Sequence, residues 1–362
     1  MKINYSSLKK SIDSLIQNNS ININVADMLL TAFQYVDLVN KDEIKQYVKE
    51  GKSESAAILS ILYEFYDLNQ DDEENISIMN EYFLNQLKKL NPKEYQNNPY
   101  VKAVKQKGSV GKYSLKELTY EPYQLFAYDE IKLIKDGYKE YSQIGYFDNK
   151  FSYLALCEGN DVWMSLNPNE IETMKPYISS AKGDVLVLGL GMGYVPFMLA
   201  LKDDVKSVTI IEKDPQIIAI FNKLIWPSFK NKEKIKIIQD DAISYTSKKE
   251  KCARHDYIFA DLWHDPNDGL APFIKLKRNE KLIGKEIHCW LELSLVCLLR
   301  RCMISLIEEN RQGFKDEDYR FAKNETDRVI NRYYQKTKNL TINDEKDLSN
   351  LLSEETLLSL II

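Results

Sequence analysis

In the first hundred positions apolar residues recur every three or four places. Leu8, Ile12, Leu15 and Ile16 do so, then Ile58, Ile61, Leu62 and Phe65, then Met79, Phe83, Leu87 and Leu90. That period is the single apolar stripe of amphipathic helices, so residues 1–112 are expected to form an all-α N-terminal domain. Asn69-Gln-Asp-Asp-Glu-Glu74 punctuates the stripes as an acidic loop, and Asn97-Asn98-Pro99 with Gly108-Ser-Val-Gly111 reads as a linker. Aromatic residues ride on the helical faces (Phe33, Tyr35, Tyr63, Phe65, Tyr82, Phe83) and read as core. Such a layer fits either dimerisation or the covering of an active site.

Past the linker the period changes. Ser142–Phe147 has strand character, and Ser152–Glu158 and Asp161–Leu166 flank Gly159-Asn160, a two-residue hairpin signal. Asn167-Pro168-Asn169-Glu170 combines a cap residue, a first-turn proline and a capping-box glutamate, which starts a helix running to about Ile178. Residues 113–175 are therefore expected to be a β-hairpin module with its connecting helix.

Residues 176–312 alternate short apolar runs with helical patterns, the signature of a parallel sheet. The first run, Asp184-Val-Leu-Val-Leu188, meets Gly189-Leu-Gly191-Met-Gly193, and a helix follows from Tyr194 to Leu201. Glycines at alternate positions allow a sharp turn and leave a ligand free to lie against bare backbone. The second run, Ser207–Ile211, ends on Glu212, which lies 23 residues beyond Gly189, close to the spacing at which doubly wound folds place a carboxylate on a ribose diol. The third, Lys236–Gln239, ends in Asp240-Asp241-Ala242, and the fourth, Asp256–Ala260, in Asp261-Leu-Trp-His264-Asp265-Pro266. Four successive strands thus end in glycine or carboxylate at the edge where open α/β sheets take ligands.

On these residues the chain resembles the class I S-adenosylmethionine-dependent methyltransferases, over roughly Lys182 to Glu292. The resemblance implies a Rossmann-like doubly wound sheet with S-adenosylmethionine as cofactor. It implies that Gly189, Leu190, Gly191 and Gly193 back the methionine portion. Glu212, with its neighbour Lys213, would hold the ribose, and Asp241 with Ala242 would sit by the adenine. The cofactor carries no phosphate, so the turn needs close approach rather than an anion cradle. A nicotinamide fingerprint would want its third glycine where Tyr194 stands, and a Walker loop would want Gly-Lys-Ser/Thr.

A hairpin module ahead of such a sheet is also the layout of the spermidine synthases, which share the fold. That resemblance carries cofactor- and amine-facing roles to Gln143 and Glu170, alongside their plain readings as a strand residue and a helix cap. Spermidine synthases carry Asp-x-x-Asp-Pro after the fourth strand and Gly-Gly-Gly-Asp-Gly at the turn. This chain has a segment one residue longer, and no acid in the turn. Methyltransferases of amide or adenine nitrogen carry Asn/Asp-Pro-Pro-aromatic there, a pattern broken by Leu262-Trp263.

Methyl transfer from a sulfonium is an in-line displacement that needs positioning, and a base when the nucleophile arrives protonated. Asp261 is the expected holder or base, and His264 a second candidate because histidine titrates near neutrality, at about 6.5. Trp263 is a candidate platform for a flat or cationic substrate. The three histidines, His255, His264 and His288, have no ligand spacing, so no metal is expected. Lys275, Lys277, Arg278 and Lys281 read as the solvated face of a basic helix. Glu286–Glu292 fits a fifth strand and Ser294–Asn310 a helix, with no convincing hairpin for a sixth and seventh strand. Residues 313–362 read as C-terminal helices, a charged one over Asp316–Lys336 and another over Leu348–Ile362. The apolar end of the latter is expected to dock on its own chain or on a second subunit.

Composition narrows the partners. The 362 residues carry a net charge of −5 with 44% hydrophobic and 28% charged positions, which gives no overall attraction to nucleic acid or anionic membrane. The start, Met-Lys-Ile-Asn-Tyr, lacks the apolar core of a signal peptide, and Leu291–Ile307 is broken by Glu292, Arg300 and Arg301. Five cysteines, odd in number and without Cys-x-x-Cys, fit a reduced cytoplasmic compartment. The expectation is a cytoplasmic methyltransferase acting on a small-molecule nucleophile, with no membrane, nucleic acid unlikely and a homodimer open. Its rivals are an aminopropyltransferase using decarboxylated S-adenosylmethionine and a non-catalytic cofactor-binding or scaffold protein.

Overall fold

The computed structural model describes residues 1–314 and 322–362. The chain is mixed α/β, and its centre is a five-stranded sheet. These strands are β1 (Gly183–Leu188), β2 (Val205–Glu212), β3 (Ile235–Gln239), β4 (Tyr257–Ala260) and β5 (His288–Cys289). The sheet order is β3-β2-β1-β4-β5 and every pair is parallel. Val185–Leu188, Val208, Ile210, Ile211 and Ile258–Ala260 are buried, as expected of strands covered by helices on both faces. Because the order runs outward from β1 in both directions, a crevice opens between the carboxyl ends of β1 and β4.

An antiparallel sheet and a mixed one precede this one. One orders Gly108–Val110, Tyr113–Tyr120, Phe151–Glu158 and Asp161–Leu166, and the other pairs Phe126–Ile134 with Lys139–Tyr146. The hairpin at Gly159-Asn160 is present, with Gly159 at φ +61°. Tyr113–Tyr120 and Phe126–Ile134 extend the module beyond the strands expected from sequence. The helix after it spans Pro168–Ser180, and Asn167 Oδ1 accepts from Glu170 N.

The N-terminal region begins with a 30-residue helix, Tyr5–Gln34. Its first half (Leu8, Ile12, Leu15) belongs to the main core around the parallel sheet. Its second half (Val25, Leu29) belongs to a smaller core with Ile58, Leu62, Met79, Phe83, Ile144 and Tyr146. Between the two halves Asn22 is buried, donating to Tyr138 O at 2.9 Å and accepting from Glu140 N at 3.0 Å. Leu87 and Leu90 do not continue the helical stripe. A wide turn over Met79–Phe83 ends the helix, and Leu87–Lys89 pairs in parallel with Ile144–Tyr146. The expected linker at Asn97-Asn98-Pro99 is instead the cap of a short helix, Pro99–Ala103.

Past β4, the helix Pro266–Ile283 is a solvated basic face only in part: Lys275 and Lys281 are exposed, but Lys277 and Arg278 turn to the protein. Lys277 is 5% exposed, its Nζ lying 3.1 Å from Glu280 and 2.5 Å from Glu292, while Arg278 donates to Ile361 O. β5 is only two residues long, because Leu291 takes a left-handed φ of +53° and the helix Glu292–Gln312 starts at once. Residues 316–321 of the expected charged helix lie outside the described residues, and the described helix is Glu325–Thr337. The apolar tail forms Glu354–Ile361 and docks on its own chain, burying Leu357 and Ile361 in the main core. The two ends of the chain also meet, Lys2–Ile3 pairing in parallel with Thr341–Ile342. Among the described residues no helix is long and apolar enough to cross a membrane.

Candidate functional site

The Gly189–Gly193 turn leaves β1 with all three glycines left-handed, at φ +100°, +51° and +72°. Each also stands where a side chain has no room. A Cβ on Gly189 would lie 2.0 Å from Asp261 O, one on Gly191 2.6 Å from Met164 Sδ, and one on Gly193 2.4 Å from the Phe221 ring. The bare backbone expected to receive a ligand is therefore packed, at these three Cβ directions, by the protein's own atoms. The turn is held from outside as well. Tyr100 donates its hydroxyl to Met192 O, and Asn98 Nδ2 donates to Tyr194 Oη at 3.0 Å.

At the end of β2, Glu212 points back to the turn. Its Oε2 accepts from Leu190 N at 3.0 Å and its Oε1 from Asp214 N at 2.8 Å. Each carboxylate oxygen keeps a further lone pair for a hydroxyl. Lys213 is exposed beside it. At the end of β3, Asp241 caps the helix Ala242–Thr246 through Oδ1, which accepts from Ser244 N at 2.8 Å, and Ala242 is buried.

The end of β4 carries the titratable centre. Burial raises the Asp261 carboxyl to about 7, His264 lowering it and the Glu212 charge raising it further. Glu170 is raised well above the carboxylate range by burial and then by Asp261. At the start of the helix Pro168–Ser180 the expected capping box at Glu170 is not formed. Its backbone N–H takes the cap bond, while its carboxyl lines a hollow with Asp261. Two neighbouring carboxyls of this kind ionise one at a time.

His264 is exposed. Its Nδ1 lies 2.9 Å from Asp268 Oδ2, and the Asp268 carboxyl also accepts the backbone N–H groups of His264 and Asp265. Burial works against the Asp268 charge, but these bonds outweigh it and hold the carboxyl below its ordinary value. Trp263 borders the cleft but is too covered to serve as an open substrate platform. Its ring is 4% exposed and packs on Gly269, and its Nε1 has no partner among the described residues. The aromatic face offered to the cleft belongs to Trp163, on the hairpin, which meets the His264 ring edge-on at 4.7 Å.

These groups line one cleft of about 450 Å³. It holds Gly189, Gly191, Glu212, Lys213, Asp241, Ala242, Asp261 and His264 from the sequence-derived set, and adds Tyr113, Trp163, Met164 and Asp214. Tyr113 Oη donates to Asp214 Oδ2 at 2.9 Å, which ties the hairpin module to the second residue after β2. A second hollow of about 30 Å³ lies behind, lined by Glu170, Leu190, Met192 and Tyr194, and shares Met164, Gly189, Gly191 and Asp261 with the first. Gly193 is not part of either lining, because its place is under Phe221. Gln143 is also apart from both. It is buried, donating to Gln86 Oε1 at 3.2 Å and accepting from Tyr128 Oη at 3.4 Å, on the side of the helical layer.

Trp163 and Met164 had no signal of their own in the sequence. Cys157 pairs with Val162 but Leu156 pairs with Met164, so Trp163 is an extra residue in the strand. Such a bulge turns neighbouring side chains in a way that alternation does not anticipate. Among the described residues no group of three or more His, Cys, Asp or Glu is arranged to hold a metal ion. No protein-family model matches the chain, and no curated protein has significant sequence similarity to it.

Proposed function

We propose that the chain is an S-adenosylmethionine-dependent methyltransferase on a Rossmann-like doubly wound sheet, acting on a small-molecule amine or hydroxyl. One observation carries the reading. Residues from the carboxyl ends of four strands, Gly189, Glu212, Asp241 and Asp261, line a single cleft in the sheet order β3-β2-β1-β4. Its volume of about 450 Å³ lies within the usual range for small-molecule sites. In that order a nucleoside base would sit by Asp241 and Ala242, and its sugar hydroxyls on Glu212. Its 5′ substituent would then cross β1 toward Asp261.

The chemistry follows from what lies at that end. S-adenosylmethionine would supply a methyl group on a sulfonium, and a nucleophile that took this methyl would release the thioether and lose a proton. Asp261, with a carboxyl poised near neutrality, is suited to receive that proton. Glu170, its carboxyl kept protonated by burial and by Asp261, gives the same end a second hydrogen-bonding group and favours a hydrogen-bonding nucleophile. Asp261→Asn is expected to leave nucleoside binding within about threefold and to lower turnover by about 10²-fold or more, read by calorimetry and by methyl transfer to a pool of amines. Full turnover in that variant would remove Asp261 from the mechanism.

The Glu170–Asp261 pair also favours the second reading, aminopropyl transfer to a polyamine. That reading would need the hollow they line, about 30 Å³ as it stands, to widen before a diamine could enter. The rival requires decarboxylated S-adenosylmethionine to bind more tightly than the parent, and titration with both compounds separates the two.

A further inference from the structure

The cleft and the acidic hollow behind it touch through four residues, Met164, Gly189, Gly191 and Asp261. Three of these are held by the backbone of the sheet. Gly189 N donates to Ile211 O and Asp261 N to Leu188 O, both at 2.9 Å, and Gly191 lies inside the braced turn. The fourth is the end of a long side chain from the hairpin strand. Met164 reaches across because the bulge at Trp163 shifts its pairing to Leu156. Its Sδ and Cε stand 2.6 and 2.7 Å from where a Gly191 Cβ would be, so its thioether rests on the turn backbone.

Methionine is unbranched, with three rotatable bonds past Cα, and moves at small cost. The ring of Trp163 beside it meets the His264 ring edge-on and also lies 5.9 Å from the Tyr113 ring. The neck therefore has one movable part.

We infer that Met164 is a specificity-determining side chain, a movable plug between the nucleoside cleft and the acidic hollow that discriminates adenosyl ligands by the length of their 5′ tail. The inference rests on the nucleoside-binding reading above. A ligand that ends at its sulfur stays within the cleft and leaves Met164 in place. A ligand that carries an amino-acid tail must wait for the thioether to swing off Gly191. If the open arrangement is populated at about 10% or less, the apparent Kd of the long ligand rises about tenfold or more.

The test is a calorimetric titration of the full chain with two probes, 5′-methylthioadenosine (short) and S-adenosylhomocysteine (long), in wild type, Met164→Ala, Met164→Leu and Met164→Phe. Met164→Ala is expected to tighten the long probe about tenfold and to leave the short one within about twofold. Met164→Leu stays near wild type for both, and Met164→Phe weakens only the long one. Should Met164→Ala fail to fold, the Phe and Leu variants still order the series. Equal changes for the two probes in every variant, or a loss of the long probe in Met164→Ala, would overturn the plug while leaving the nucleoside cleft standing. If neither probe binds wild type or any variant, the nucleoside reading itself falls, and the plug with it.

Discussion

Gly189 and Gly191 sit two residues apart in the same turn and meet different neighbours. The space beside Gly189 is filled by the carbonyl oxygen of Asp261, part of the sheet backbone, and that beside Gly191 by the flexible end of Met164. Both are left-handed, so alanine strains either one, but only at Gly189 must a strand move. Gly189→Ala is expected to lose about 3 kcal/mol or more by chemical denaturation, and Gly191→Ala about 1–2 kcal/mol. The Asp261 carboxyl gives a second prediction at this scale. Its folded value, about 7, lies above the ordinary aspartate value of 3.8. The folded state therefore binds more protons between those limits, and the Asp261 contribution is present below pH 4 and lost as pH rises through about 7. Unfolding free energy measured from pH 4 to 8 should fall less steeply in Asp261→Asn than in wild type.

At the scale of elements, the helix Pro266–Ile283 is fastened to the end of β5 by one buried ammonium. Lys277 Nζ also donates to Ile287 O at 3.1 Å, while Glu292 Oε2 accepts Cys289 N and Glu280 Oε2 accepts Ile287 N. Replacing Lys277 with Met leaves two half-buried carboxylates without their counter-ion. The expected loss is about 3–5 kcal/mol, measured as unfolding free energy at pH 7. A loss below 1 kcal/mol would mean that the carboxylates find water or a proton instead. This arrangement also marks where sequence reading stops. The runs Val185–Leu188, Val208–Ile211 and Ile258–Ala260 were legible because strands buried on both faces carry no polar interruption. Tyr113–Tyr120 and Phe126–Ile134 were not, because Lys116, Glu117, Asp129, Glu130 and Lys132 break their pattern and the second strand is irregular against its partner. Asp261 was legible as a strand-end acid. From its own pattern Glu170 was legible as a cap, and only the spermidine synthase resemblance gave it a ligand-facing role, since the direction of its carboxyl is decided by the β4 end packed against it. Lys277 read as solvent-facing because a lysine at helical spacing carries no record of the helix, Glu292–Gln312, that covers it.

Over the whole molecule, one long helix, Tyr5–Gln34, spans both hydrophobic cores, and buried Asn22 fastens its middle to the strand that starts at Lys139. Asn22→Leu should remove two hydrogen bonds to the backbone and cost about 2–3 kcal/mol, with hydrogen exchange at Tyr138–Glu140 rising first. The cleft lies where the hairpin module meets the parallel sheet through Tyr113, Trp163 and Met164. Its acids outnumber its bases, and its walls come from four strand ends and one hairpin, a charge balance that supports the proposal of a cationic adenosyl ligand. The most direct measurement is calorimetric titration of the intact chain and of Glu212→Ala with S-adenosylmethionine. The account predicts one site per chain in the wild type, weakened about tenfold or more when the carboxylate that faces Leu190 and Asp214 is removed. No heat and no thermal shift in the wild type, or equal binding in both proteins, would contradict it.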